Sequence, residues 1–276
     1  MISDDRIDWL STPHGVAVIT QNCDAIREGI LAVQVCPIAR LPSDMASEAR
    51  KGRRPRYGAL PGLDADAFVD FESVATIDKS FLLSSRGLPG VVAATDQRAL
   101  REAVGRRFSR AALPDSVTLW LGPLQELLRE KAGHPNRALS WAFDRILQIR
   151  VSSGSGWRGP TYSLLVSFIV ENGILPQFPD DRLPAKPTKL VDWLTGKSPS
   201  QIEIRLKKTS EPIERHYLWD ALGQALIGLC AAVPSSAILD AGAQVIAANE
   251  FTLTQVFDSE QLDLDHLSRP ETSQRR

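Results

Sequence analysis

The residues with the clearest capacity for chemistry lie in a polar connection, Gln21-Asn22-Cys23-Asp24. A cysteine beside an aspartate offers a nucleophile and an acid/base group, and Gln21 adds a neutral hydrogen-bonding partner. Gln21, Cys23 and Asp24 are therefore the candidate catalytic set. The same residues also suit a plain turn, with Cys23 as a small buried hydrophobe and Asp24 as a turn former. A second group is basic. Arg50-Lys51-Gly52-Arg53-Arg54-Pro55-Arg56 runs into Tyr57, and Gly105-Arg106-Arg107-Phe108-Ser109-Arg110 closes a later helical pattern. Guanidinium groups beside an aromatic ring suit phosphate contact combined with base stacking. Arg53, Arg54, Arg56, Tyr57, Arg106, Arg107 and Arg110 are thus the candidate nucleic-acid contacts. A solvated loop and a helix end whose arginines complement the dipole would use the same residues.

Other motifs carry less. Ser152–Gly159 is glycine-rich but lacks Gly-Lys-Ser/Thr and precedes a strand, so it reads as a hairpin connection with Trp157 and Arg158 at its tip. Asp263 and Asp265 fall on one face of a strand pattern with His266 opposite, too few groups for a metal site. The four histidines, His14, His134, His216 and His266, are scattered without zinc, HExxH, Walker or GxSxG spacing. No metal or cofactor is expected.

The elements that must position these groups change character along the chain. His14–Thr20 and Ile30–Cys36 are β-branched runs, the second closed by Pro37, and both read as strands around the Gln21–Asp24 connection. Ser43–Pro55 lacks apolar periodicity and reads as an exposed, mobile loop. Tyr57–Leu60 and Ala67–Phe71 are short strands, Val74–Leu82 is a further short element, and Gln97–Phe108 is an amphipathic helix. Many short strands followed by a helix predict a small barrel-like unit ending near residue 112. Beyond it, Val117–Lys131 and Asn136–Ile146 read as helices, Leu147–Ser152 and Tyr162–Val170 as strands, and Lys189–Leu206 as two helices broken near Ser198-Pro199. Pro212–Ala232 has the broadest apolar face and is a long helix; Ala237–Ala247 and Leu253–Phe257 read as strands. The expected division is 1–112, 113–269 and a polar tail, 270–276.

The segment Phe71-Glu-Ser-Val-Ala-Thr-Ile-Asp-Lys-Ser-Phe-Leu82 resembles the late strand-and-turn segment of the MazF/PemK toxin family, where a C-terminal helix follows. Gly15–Thr20 and Val33–Pro37 resemble two early strands of that family. The resemblance covers about the first 110 residues, and it implies an SH3-like barrel with a concave, RNA-sized surface. Family toxins cleave RNA without metal, using an Arg-Pro ahead of the first strand and a Thr or Ser after the Pro that follows the next. This chain has His14-Gly15 and Ile38-Ala39 there. The resemblance therefore implies an inactive or repurposed scaffold.

Composition bounds these expectations. The 276 residues are 43% hydrophobic and 24% charged, with a formal net charge of −1, which excludes a generic polyanion binder. Basic residues are nonetheless in surplus between Arg40 and Arg110. Three cysteines without CxxC spacing, and an acidic N-terminus without a signal pattern, point to a reducing, cytoplasmic setting with no membrane partner. The fold class expected is α+β: an N-terminal SH3-like β-barrel followed by a C-terminal α+β domain. The function expected is binding of RNA or single-stranded DNA by a protein of bacterial toxin or anti-phage defence type, in the extreme a degenerate ribonuclease. The alternative is a non-catalytic interaction subunit of a larger assembly, for which a protein partner is expected.

Overall fold

The computed structural model describes residues 11–21, 25–83, 85–109, 113–131, 136–178 and 183–264. The chain is mixed α+β and divides into two compact units, 1–109 and 110–276, each with its own sheet.

In the first unit the sheet is organised by one long strand, β2 (Ala32–Arg40). The short β1 (Val16–Val18) pairs with its centre, Val16 opposite Pro37 and Val18 opposite Val35. On its other side lie β4 (Ala67–Asp70), against Ile38–Arg40, and β5 (Ala75–Asp78), against Ala32–Val35. β3 (Tyr57–Ala59) pairs with the far side of β4. β2 thus continues past Pro37, where a strand end was expected. The pairing explains why. Ile38 N–H donates to Gly15 O across to β1 at 3.0 Å, so by alternation the imino nitrogen of Pro37 faces the other way. There the chain leaves the ladder between Val69 and Ala75, and no N–H is required of residue 37.

Among the described residues the expected barrel is not closed: the path runs β1-β2-β4-β3, and β1 and β3 do not pair. Helices pack on both faces of the sheet's β4 region. Ser43–Arg50, expected as a mobile loop, is helix α1, and it packs Ala46 and Ala49 with Leu41 and Phe68. After the short α2 (Ser80–Leu83), helix α3 (Ala94–Ser109) brings Leu100, Ala103 and Val104 onto Cys36, Leu60, Ala67, Val69 and Phe71. Ala67, Phe68 and Val69 of β4 are all buried, as a strand covered on two faces requires. Gly58 permits the close approach of α3, because a Cβ there would lie 2.8 Å from both Leu100 Cδ1 and Phe71 Cζ.

The second unit is a four-stranded sheet, β8-β7-β6-β9, covered on one face by helices. α4 (Asp115–Trp120), α5 (Gly122–Lys131) and α6 (Ser140–Arg145) lead into the antiparallel pair β6 (Ile146–Ser153) and β7 (Tyr162–Val170). α7 (Thr188–Leu194), α8 (Pro199–Lys208) and α9 (Pro212–Cys230) then cross to β8 (Ile238–Ala247), which returns parallel to β7. On α9 the residues Leu218, Leu222, Leu226 and Cys230, four apart, bury one stripe against the sheet. Gly223 lets this helix settle, since a Cβ would meet Val245 Cγ2 at 3.0 Å. Leu253–Phe257, expected as a strand, is helix α10. Thr252 and Gln255 form a capping box that supplies the first-turn N–H groups with a local acceptor, and this outweighs the β-branched composition. β9 (Glu260–Gln261) closes the sheet beside β6.

Candidate nucleic-acid interface

Of the basic candidates in the described residues, all but Arg53 gather at one surface of the first unit, where the loop after α1, strand β3 and the C-terminal turn of α3 meet. Arg56 is the best held. Its Nε and Nη2 donate to the two carboxylate oxygens of Asp70, each at 2.8 Å, and its guanidinium lies 5.2 Å from the Tyr57 ring centroid. The backbone sets this up, because Tyr57 is the register partner of Asp70 and Phe71 N–H donates to Arg56 O. The Asp70 hydrogen bonds raise the Arg56 pKa further, against the opposing effect of burial, with Tyr57 and Glu72 adding to the rise. Arg107 Nη2 reaches Glu72 Oε2 at 3.4 Å, two residues past Asp70. Arg106 arrives from the same turn of α3, and its guanidinium lies against Gly52: a Cβ at that glycine would meet Nη1 and Nη2 at 2.5 Å. Gly52 also has φ +69°, so the sharp turn out of α1 and the close approach of Arg106 both rest on a residue without a side chain.

Arg53 does not belong to this surface. It is only 2% exposed, and its Nη1 donates to Glu48 Oε2 at 2.8 Å, a buried pair that ties the loop to α1. The sequence signal failed there because a buried ion pair inside a basic run looks like solvated charge. Arg54 is half-buried in the same loop. Arg110 lies outside the described residues.

Of the candidate catalytic set, only Gln21 is among the described residues. Cys23 and Asp24 lie outside the described residues. Gln21 is exposed, just beyond the point where Thr20 Oγ1 accepts from Gln34 N–H. Asp70 lies beside the Pro37 end of β2, three residues further along, about 10 Å. Cys36, on β2, is fully buried; burial, and secondarily the Asp70 charge, push its pKa up to about 11. A thiol so held is a packing residue and not a nucleophile at neutral pH.

The remaining motifs resolve structurally. Trp157 folds back so that its ring centroid is 5.9 Å from that of Tyr162, which fixes the 153–161 hairpin instead of presenting an indole at its tip. Asp263 lies after β9, and among the described residues no three His, Cys, Asp or Glu side chains could hold a metal. Asp265 and His266 lie outside the described residues. No helix of the described residues is long and apolar enough to cross a membrane. No protein-family model, curated protein or solved structure matches the chain.

Proposed function

We propose that the first unit binds nucleic acid, RNA or single-stranded DNA, through the face built by Arg54, Arg56, Tyr57, Arg106 and Arg107. The observation that carries this reading is the two-point clamp of Arg56 by Asp70 above the Tyr57 ring. A guanidinium held at two points beside an aromatic ring is pre-oriented, so it loses little entropy on meeting a phosphate. Arg106 and Arg107 add two further cations from an independent element. The resemblance of Phe71–Leu82 to the MazF/PemK segment supports a bacterial toxin or defence setting. Cleavage is not part of the proposal, since neither family catalytic position is matched in the sequence.

The test is fluorescence anisotropy with labelled single-stranded RNA, single-stranded DNA and duplex at several salt concentrations. Single strands should bind with an affinity that falls steeply with salt, and each phosphate contact removed should flatten the log–log slope by about 0.7. Absence of affinity for every oligonucleotide at ~50 mM salt would overturn the reading.

A second reading, a non-catalytic interaction subunit, is favoured by one specific feature. Ile26, Leu31, Phe81 and Leu83 are all strongly exposed. They gather at the Ala32 end of β2, where Lys79 N–H donates to Leu31 O at 2.8 Å and Lys79 Nζ to Arg27 O at 2.8 Å. Exposed large apolar side chains grouped in this way suit a protein contact. A well-folded chain without oligonucleotide affinity would favour this reading.

A further inference from the structure

β8 is ten residues long and, among the described residues, pairs only with β7. Its hydrogen-bonding direction is fixed by its neighbours. Ala248 N–H donates to Val170 O, so the even-numbered residues of this stretch point their backbone groups at β7. The odd-numbered ones point away. Ala247 O takes donors from its own turn, Glu250 and Phe251, and Ala243 O takes the Gln224 side-chain amide at 2.7 Å. The backbone of Ala241, Ala243 and Val245 therefore faces outward from the sheet. Natural edges are usually blunted by lysine, proline or inward charge. This one, Ile238-Leu-Asp-Ala-Gly-Ala-Gln-Val-Ile-Ala247, has none of these beyond Asp240 near its start and a register shift at Leu239.

A second observation lies beside the edge. A cleft of about 340 Å³ opens between the start of β8 and the end of α9, lined by Ile227, Gly228, Ala231, Leu239, Asp240 and Ala241. A strand added at this edge would direct alternate side chains toward it.

We infer that β8 pairs antiparallel with β8 of a second copy of this chain, about a two-fold axis at Ala243. In that register no like charges oppose one another. Ala243 meets its own copy, Ala241 meets the partner's Val245, and Gly242 meets the partner's Gln244. The only charge, Asp240, meets the partner's Ile246 and not another aspartate. Nine residues, 239–247, overlap on each chain, and Val245 of each copy approaches the cleft beside Ala241 of the other. The same patch serves both subunits, as a closed isologous dimer requires. The Gln224 amide occupies one lone pair of Ala243 O and leaves the second for the partner's N–H.

Sedimentation velocity of the full chain over a range of concentrations should show a reversible monomer–dimer equilibrium. Leu239→Lys introduces a charge at a position 68% exposed, so the fold is retained, and dissociation should rise at least tenfold. Oxidation of Ala243→Cys should yield a covalent dimer on a non-reducing gel, faster than Ala241→Cys or the wild type, because only residue 243 faces itself. A chain that stays monomeric at all concentrations overturns the inference, as does equal cross-linking at 241 and 243. A monomer that instead binds a synthetic strand peptide at this edge overturns the choice of a second copy as occupant.

Discussion

Glu203 and Leu139, 64 residues apart, meet at the start of α6: the Leu139 backbone N–H donates to Glu203 Oε2 at 2.8 Å, and the Ala142 N–H reaches Oε1 at 3.2 Å. Leu139 has φ 72°, the single described non-glycine residue at positive φ, and it offers α6 no side-chain cap. A buried carboxylate from α8 therefore caps α6 in place of a local serine or aspartate, with Lys207 Nζ 3.4 Å away to offset its charge.

Glu203→Ala should destabilise the second unit by about 2–4 kcal/mol, since it strands two N–H groups and leaves a cavity at a 1% exposed position. Glu203→Gln keeps an acceptor and should cost less. Urea unfolding followed by tryptophan fluorescence measures both; equal, negligible effects would mean the cap carries no stability.

Leu139→Gly sets two effects against each other. Relief of the left-handed conformation is worth about 1–2 kcal/mol, whereas removal of this buried side chain costs about 2–5 kcal/mol. Net destabilisation is expected, and a stabilised variant would show that the strain dominates.

Gly52→Ala should weaken oligonucleotide binding several-fold without changing any charge, because the new Cβ displaces the Arg106 guanidinium and is disfavoured at φ +69°. Arg106→Ala should lower affinity by a similar amount, and the double variant should add little beyond either change. Full additivity in anisotropy titrations would separate the glycine from the arginine.

The second unit should lose stability as pH falls through about 6.5. Burial lowers the His216 pKa in the folded chain, opposed by Asp220 and Glu250, and its buried Nδ1 has no hydrogen-bond partner among the described residues. Between the lowered value and 6.5 the unfolded chain binds the extra proton, so stability rises with pH across that window and levels off below it. His216→Gln should flatten the Tm-versus-pH curve there; an unchanged slope would mean another group is responsible.

Cys36 and Cys230 should resist a thiol reagent until the chain unfolds. Both are fully buried, and burial pushes each pKa up to about 11. Thiol counting in native buffer against denaturant decides the point.

Much of the second unit is legible in its sequence. Tyr162–Val170 alternates at its start and then runs apolar, and α9 repeats Leu218, Leu222 and Leu226 at helical spacing, so local pattern is enough to mark each element. Where local period and tertiary role part company, reading the residues fails. α1 fully buries just two small apolar residues, Ala46 and Ala49, with Met45 partly covered, and it buries Glu48 with Arg53, which gives it the composition of a loop. The cap on α6 leaves no trace at Leu139 because its carboxylate comes from another helix. Gathering the arginines was half visible: the basic runs stand out, but their selection into paired, buried and surface groups depends on Glu48, Asp70 and Glu72, which only the fold brings near.

Pro37 gives β2 a seam. On its β4/β5 side the strand carries two separate ladders, Ala32–Val35 with β5 and Ile38–Arg40 with β4, and no proline amide can stitch them together. The β5 ladder lies at the exposed apolar end, whereas Phe68 and Val69 of the β4 ladder are fully buried. The two halves of one strand should therefore open as different cooperative units. In hydrogen–deuterium exchange, the β5 ladder would give up its amide protons well before the β4 ladder does.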